Sequence, residues 1–151
     1  MKIGVVGLGN LGSAIANLVA ANGHDVLGWE YNADVVDEIN RAHTNTRFLP
    51  GVELHPRLAA TQQLGDIFTH SRAIFVALPS SFLRPTLEPV KQLGQPDMLL
   101  INLAKGIERA TGLTALQMLG GLFPRHTTIM LSGPSIANEF ARGMPTVVMA
   151  E

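Results

Sequence analysis

The sequence predicts an α/β fold in which a doubly wound, mostly parallel sheet carries helices on both faces. Three features predict it: strand and helix patterns alternate along the chain, the strands are unbroken apolar runs, and the first strand ends in a glycine-rich turn. With 151 residues, the chain has the length of one domain. Its 46% hydrophobic content supplies apolar side chains for a packed core and argues against disorder.

The composition excludes several kinds of function. The formal net charge of −1 gives no basic surface for nucleic acid, and the absence of cysteine rules out disulfides, thiolate metal ligands and a cysteine nucleophile. The five histidines (24, 43, 55, 70 and 126) lack the spacing of metal ligands, so we expect no metal and assign them no role. Because no apolar run approaches the roughly 20 residues of a membrane-spanning helix, we expect a cytoplasmic protein without membrane insertion.

The first part of the chain shows the alternation most clearly. The short apolar run at 3–6 ends in glycine and is typical of a buried strand. Leu11, Ile15 and Leu18 then recur at helical spacing, and Gly23 follows the last turn, a common place for glycine at a helix end. These patterns predict strands at 3–6 and 25–29 and helices at 10–21 and 33–42.

The rest of the chain continues the alternation after an irregular stretch at 43–57, in which Pro50 and Gly51 mark a turn. Apolar runs predict strands at 58–61, 73–78, 98–103, 128–131 and 146–150. Helical spacing predicts helices at about 81–93, 113–122 and 136–142. Because no element follows to cover the last strand, we expect the chain to be a fragment or a truncated gene product.

The segment 7–12, Gly-Leu-Gly-Asn-Leu-Gly, matches the G-x-G-x-x-G pattern of Rossmann-type dinucleotide-binding loops. It follows a predicted strand and opens a predicted helix, which is the context that gives the pattern meaning. Gly7 permits the tight turn, Gly9 lets the backbone approach a pyrophosphate, and Gly12 lets the helix pack against the strand. The N–H groups at the helix start would bind the phosphates. The alternative is a glycine-rich turn with no ligand.

The end of the second strand should contact the adenosine ribose of such a cofactor. Glu30 lies 18 positions after Gly12, near the usual spacing of the acid that binds the ribose 2′-hydroxyl. Tyr31 could occupy this position instead and pack against the adenine. No arginine stands at 29–32 to bind a 2′-phosphate, which favours NAD over NADP. A solvated loop acid is the alternative for Glu30.

Four further segments fall in loops where an open α/β sheet binds its ligands: 45–51 (Asn-Thr-Arg-Phe-Leu-Pro-Gly), 78–80 (Leu-Pro-Ser), 105–108 (Lys-Gly-Ile-Glu) and 131–135 (Leu-Ser-Gly-Pro-Ser). With the glycine loop, this set resembles the soluble NAD(P)-dependent glycerol-3-phosphate dehydrogenase family over essentially all 151 residues. The resemblance implies reversible reduction of dihydroxyacetone phosphate, a small phosphorylated substrate, to sn-glycerol 3-phosphate. That product feeds glycerophospholipid synthesis.

The resemblance also implies roles for individual residues. The family's cofactor-contacting positions fall on Asn10, Leu11, Lys105 and Ala137, and its substrate-contacting positions fall on Lys105, Gly133 and Ser135. Leu11 departs from the aromatic residue that is common there, which puts a stacking contact in doubt. Tyr31 is similar to the aromatic residue of NAD-using relatives.

Three of these segments can also be interpreted from the residues themselves. A lysine at a strand end can polarise a carbonyl or pair with a phosphate, which makes Lys105 a candidate catalytic residue; the alternative is an ordinary surface lysine. Pro79 and Ser80 would shape the loop on the nicotinamide side, or Pro79 only ends the strand. The segment 45–51 would belong to the site, or it only packs Phe48 and Leu49 into the domain.

Reduction of a ketone needs a proton donor to the forming alkoxide. In the family this donor is a lysine of a second, C-terminal domain, which we expect to lie outside these 151 residues. We therefore expect the chain alone, a NAD-binding domain, to bind cofactor but to be inactive or nearly so, and its exposed face would favour a homodimer. Two alternatives stay open: another two-domain dehydrogenase of the 3-hydroxy acid or 6-phosphogluconate type, and a non-catalytic dinucleotide-sensing module.

Overall fold

One seven-stranded sheet organises the part of the chain that the computed structural model describes, residues 1–133, 137–143 and 149–150. Its strands are β1 (Lys2–Val6), β2 (Asp25–Trp29), β3 (Leu58–Thr61), β4 (Ala73–Val76), β5 (Leu99–Asn102), β6 (Thr127–Ser132) and β7 (Met149–Ala150). They lie in the order β3-β2-β1-β4-β5-β6-β7. All neighbouring strands are parallel except β7, which pairs antiparallel with β6.

Helices cover both faces of this sheet. They are α1 (Asn10–Ala21), α2 (Ala33–Ala42), α3 (Leu64–His70), α4 (Ser80–Leu87), α5 (Ala115–Leu122) and α6 (Ala137–Ala141). Val5 and Val6 are adjacent in β1 and therefore point to opposite faces, where each joins a different buried apolar cluster. One cluster contains side chains of α1 and α2, and the other contains side chains of α3, α4 and α5. This arrangement confirms the predicted doubly wound fold.

Most predicted element bounds agree with the structure to within two residues, and two larger differences have local causes. The sequence pattern does not predict α3, because this seven-residue helix buries only Ile67 and Phe68 and has no side-chain cap at its start. The helix predicted at 81–93 is instead α4 followed by a short 3-10 turn at Glu88–Val90. Prolines at 85 and 89 lack the N–H that a longer α-helix needs. Residues 146–148 of the last predicted strand lie outside the described residues.

The loop after β5 is tied to α4 by a partly buried ion pair. Arg84 donates from Nε and Nη2 to the two carboxylate oxygens of Glu108, at 2.8 and 3.0 Å. The Thr111 hydroxyl also donates to this carboxylate. The hydrogen bonds from Arg84, and then the one from Thr111, lower the pKa of Glu108 to about 2. This bidentate pair therefore fixes the loop that carries Lys105 to the helix that begins at Ser80.

Gly28 marks a tight contact between β2 and the loop after β1. A Cβ atom at this position would lie 2.5 Å from both Cδ atoms of Leu8, whose side chain is fully buried. We expect Gly28→Ala to lower the free energy of unfolding by about 1–3 kcal/mol, because a packed core accommodates an added methyl group only with strain. Urea unfolding measures this change.

Gly120→Ala in α5 is the matched control, because no atom outside that helix's own backbone lies within 4 Å of the added Cβ. It should stabilise the chain slightly, since alanine favours the helix over glycine by roughly 0.5–1 kcal/mol. A Gly28→Ala chain as stable as the parent would contradict the tight packing of Leu8 on β2.

The ion pair of Arg84 and Glu108 predicts a pH dependence of stability. The folded-state pKa of Glu108 lies below its ordinary value of 4.5, so the carboxylate stabilises the fold above pH 4.5 and this contribution is lost as the pH falls towards 2. At neutral pH, Glu108→Gln should therefore unfold at a lower urea concentration than the parent chain. The difference should shrink as the pH is lowered from 4.5.

The exposed pair of Asp37 and Arg41 provides the control for this measurement, since Asp37→Asn should change stability little at any pH. A destabilisation by Glu108→Gln that stayed the same from neutral pH down to the acid limit of folding would argue against the ion pair.

Candidate cofactor site

The winding of the sheet reverses between β1 and β4, and the glycine loop lies there at the carboxyl end of β1. The crevice at such a reversal is the usual ligand site of open α/β sheets. Gly7 has a φ of +96°, in the left-handed region that favours glycine. A Cβ at Gly12 would lie 1.8 Å from the Gly7 carbonyl oxygen, so only glycine lets α1 begin this close to β1. No atom lies within 4 Å of a Cβ at Gly9, where the backbone is open to a ligand.

One carbonyl oxygen joins the glycine loop to two other parts of the chain. The oxygen of Leu8 accepts hydrogen bonds of 2.9 Å from Ser13 Oγ and from Asn45 Nδ2. The same amide nitrogen of Asn45 lies 2.9 Å from Ser13 Oγ. All three residues are fully buried, where a carbonyl without a partner would be destabilising. The conformation of the glycine loop thus depends on an asparagine 37 residues away.

The segment 45–51 contributes both to the core and to the site. Asn45 Oδ1 accepts a hydrogen bond from the Phe48 N–H at 3.2 Å, and Asn10 Nδ2 donates to the Phe48 carbonyl at 2.8 Å. Leu49 is fully buried, which confirms its predicted packing role. Phe48 is half-buried and lines a cavity beside the glycine loop. The segment therefore packs into the domain through Leu49 and lines the cavity through Phe48, while its contact with a ligand stays a prediction.

The end of β2 places a buried acid beside the glycine loop. Glu30 is 4% exposed, and its Oε1 accepts a hydrogen bond from the Asn32 N–H at 3.1 Å. No described residue donates to its second oxygen, Oε2. The indole N–H of Trp29 donates to the Gln62 carbonyl at 3.0 Å, which anchors this strand end to the loop after β3. One oxygen of a fixed carboxylate is therefore available to accept a hydrogen bond from a ligand hydroxyl.

A cavity of about 520 Å³ opens between the glycine loop, the end of β2 and the first turns of α4. Its volume is within the usual size range of small-molecule sites. Its wall combines aromatic rings, glycine backbone and one acid. The lining residues are Gly7, Gly9, Trp29, Glu30, Tyr31, Phe48, Ala77, Leu78, Pro79, Phe82 and Thr86. Tyr31 and Phe82 are 67% and 60% exposed, so two largely exposed aromatic residues lie at the cavity, where an aromatic ring can pack against a planar ligand.

Lys105 lies at the carboxyl end of β5, one strand beyond β4. The buried side chain of Asn102 fixes the turn before it, because its amide accepts from the Ala104 N–H and donates to the Ala104 carbonyl, both at 3.0 Å. Lys105 Nζ is exposed and donates to the Gly133 carbonyl at 3.3 Å. The structure thus brings Lys105 and Gly133 together, beside the cavity rather than among its lining residues.

The predicted site residues divide into those that line the cavity and those that do not. Gly7, Gly9, Glu30, Tyr31 and Pro79 line it, whereas Asn10, Leu11, Gly12, Lys105, Gly133 and Ala137 do not. Ala137 is buried where α6 packs against α1. Ser135 lies outside the described residues.

Sequence reasoning missed two lining residues of the cavity, Phe82 and Thr86, both on α4. They line the cavity from the first and second turns of a helix that begins directly after Pro79. The only signal was the position of this helix immediately after the 78–80 segment. It also missed Asn45 and Asn102, whose buried amides could not be distinguished from surface polar groups without the fold.

The described residues include a further cavity at the opposite edge of the sheet, and they show neither a metal-ligand cluster nor a membrane-spanning helix. A second cavity of about 320 Å³ lies at the amino ends of β5 and β6, the edge of the sheet opposite the glycine loop. Among residues 1–133, 137–143 and 149–150, no three His, Asp or Glu side chains converge as metal ligands do. None of the helices in those ranges has the length and apolar character needed to cross a bilayer.

Known proteins match this chain along its whole length. The family model for the "NAD-dependent glycerol-3-phosphate dehydrogenase N-terminus" matches residues 2–151. A glycerol-3-phosphate dehydrogenase (NAD(P)+) of Geobacter sulfurreducens is 38% identical over 152 aligned residues, which cover 99% of this chain and 45% of that protein. The protein of the same name in Staphylococcus carnosus is also 38% identical, over 99% of this chain and 46% of its own length. The chain thus spans slightly less than half the length of the curated relatives it matches.

Solved structures of proteins with this name share the fold. The crystal structure of glycerol-3-phosphate dehydrogenase from Coxiella burnetii matches with a TM-score of 0.91 and 27% identity, covering 99% of this chain and 46% of that one. The enzyme from Saccharomyces cerevisiae matches with a TM-score of 0.86 and 26% identity over the same shares. The chain therefore belongs to the NAD-dependent glycerol-3-phosphate dehydrogenase family and corresponds to that family's N-terminal region.

Proposed function

We propose that this domain binds NAD(H) in the 520 Å³ cavity, with the pyrophosphate on the glycine loop. The observation that carries the proposal is the close approach of Gly12 to Gly7 with open space at Gly9, because this arrangement leaves room for a phosphate against bare backbone. The first turn of α1 contains no acidic residue, and Gly9 supplies no capping side chain. The positive end of the helix dipole is therefore available to an anion.

The adenosine half of the cofactor fits the β2 side of the cavity. Glu30 Oε2 would accept a hydrogen bond from the ribose 2′-hydroxyl, while the bond from Asn32 to Oε1 holds the carboxylate in place. A 2′-phosphate beside the same carboxylate would be repelled, which favours NAD over NADP. The exposed rings of Tyr31 and Phe82 would pack against the adenine.

For the parent protein, we propose reversible reduction of dihydroxyacetone phosphate to sn-glycerol 3-phosphate with NAD(P)H. The nicotinamide, when bound, supplies the hydride. Lys105, tethered to Gly133, would bind the substrate's phosphate or polarise its carbonyl. The proton for the forming alkoxide would come from a residue outside these 151 residues. The product would supply glycerophospholipid synthesis, and the reaction would take place in the cytoplasm.

The ribose contact of Glu30 is testable by titration with NADH. Glu30→Gln should weaken binding about tenfold or more, because a hydrogen bond to a charged acceptor is worth roughly 1.5–3 kcal/mol. Trp29, the sole tryptophan, lines the cavity and reports binding by energy transfer to the reduced nicotinamide. The preference for NADH over NADPH should also fall.

Asp34→Asn removes an exposed charge from the first turn of α2 and is the matched control, which should leave the NADH affinity unchanged. If Glu30→Gln bound NADH as tightly as the parent chain, the proposed ribose contact would be wrong.

The proposed substrate role of Lys105 predicts that its removal affects substrate binding and not cofactor binding. Lys105→Ala should bind NADH almost normally, because Lys105 does not line the cavity, but should bind dihydroxyacetone phosphate more weakly once NADH is saturating. Isothermal titration with each ligand measures the two affinities. Lys2→Ala, which removes an exposed lysine at the opposite end of β1, is the control. Equal substrate affinity in Lys105→Ala and the parent chain would count against this role.

A further inference from the structure

The backbone of residues 44–48 is held in place from two sides. Glu38 of α2 accepts hydrogen bonds from Thr44 Oγ1 and the Thr46 N–H, both at 2.8 Å, and from Thr46 Oγ1 at 3.1 Å. The bond from the Thr46 backbone is the largest cause of a lowered pKa of Glu38. On the other side, Asn45 and Phe48 are bonded to the glycine loop and to Asn10. The backbone position of the residue between Thr46 and Phe48 is therefore fixed by hydrogen bonds on both sides.

That residue is Arg47, an exposed cation that contacts the cavity-lining Phe48 but is not itself among the described lining residues. Its guanidinium carbon lies 5.3 Å from the centroid of the Phe48 ring, and Phe48 lines the cavity. Within the described part of the chain, no carboxylate pairs with Arg47. By contrast, Arg41 of α2 is paired with Asp37 at 2.8 Å. Stacking on an aromatic ring restricts the Arg47 side chain but leaves its N–H donors free.

A cation near the cavity would balance the negative charges of a bound dinucleotide. Among the described residues that line the cavity, Glu30 is the single formally charged one, and its formal charge is negative. A dinucleotide carries two negative charges on its pyrophosphate, and NADP carries a further phosphate on the adenosine ribose. Helix and loop N–H groups supply only partial positive charge. Lys105 lies beyond the lining residues, at the end of β5.

We propose that Arg47 binds a phosphate group of the dinucleotide, an inference that rests on the proposed cofactor site. The guanidinium fork matches two oxygens of one phosphate, and its stacking on Phe48 reduces the freedom lost on binding. A bound dinucleotide would place phosphate groups at two positions of this site. The pyrophosphate would lie on the glycine loop, beside Asn10, and the 2′-phosphate of NADP would lie beside Glu30.

The test compares Arg47→Ala, Arg47→Lys and Arg41→Ala with the parent chain, using titrations with NADH and with NADPH at low and moderate salt. Trp29 provides the binding signal, and circular dichroism checks the fold of each variant. We expect Arg47→Ala to lose about tenfold in affinity and much of its salt dependence. Arg47→Lys should keep part of the affinity, and Arg41→Ala should match the parent.

The two nucleotides distinguish the phosphates. A similar loss for NADH and NADPH assigns Arg47 to the pyrophosphate, and a loss confined to NADPH assigns it to the 2′-phosphate; either result supports the proposal. Affinities for both nucleotides that stay at the parent level in folded Arg47→Ala would overturn it. If the parent chain bound neither nucleotide, the proposed cofactor site itself would fail, and this inference with it.

Discussion

The buried carbonyl oxygen of Leu8 is the acceptor on which the candidate site depends. It lies inside the glycine loop, so neither water nor a regular helix or strand bond is at hand to satisfy it. Ser13 from α1 and Asn45 from a distant segment donate to it instead. These bonds hold the glycine loop open towards solvent while Gly12 keeps α1 against the end of β1. The backbone that would meet a phosphate is therefore shaped before any ligand binds.

Hydrogen bonds and an ion pair also connect other loops at the carboxyl edge of the sheet to neighbouring segments. Glu38 holds the backbone of 44–46, and Arg84 holds Glu108 beside α4. Asn102 fixes the turn that precedes Lys105. Side chains of the candidate site are thus supported by side chains outside it. Such support favours a site in which groups keep their relative positions as the cofactor enters.

The sequence predicts the parts of this structure that depend on local patterns, and it fails where distant segments decide. Apolar runs and helical spacing place six of the strands and the main helices, and the glycine loop indicates where the candidate cofactor site lies. The short α3 lacks a periodic apolar face, and α4 ends at Leu87, earlier than spacing alone indicates, just before the 3-10 turn that contains Pro89. The contact of Asn45 with Leu8 and the position of Arg47 beside Phe48 follow from how the segment 43–57 packs on α1. No sequence pattern within 43–57 or within α1 specifies how the two pack together.

Binding of NADH between the glycine loop and the end of β2 is tested most directly by NMR titration of the isotope-labelled chain. Saturating NADH should shift the backbone amide signals of Gly7, Gly9, Tyr31 and Phe82, which line the cavity. The signals of Met98 and Thr127, at the opposite edge of the sheet, should stay in place. Shifts confined to that opposite edge, or no shifts at millimolar NADH, would contradict the proposed cofactor site.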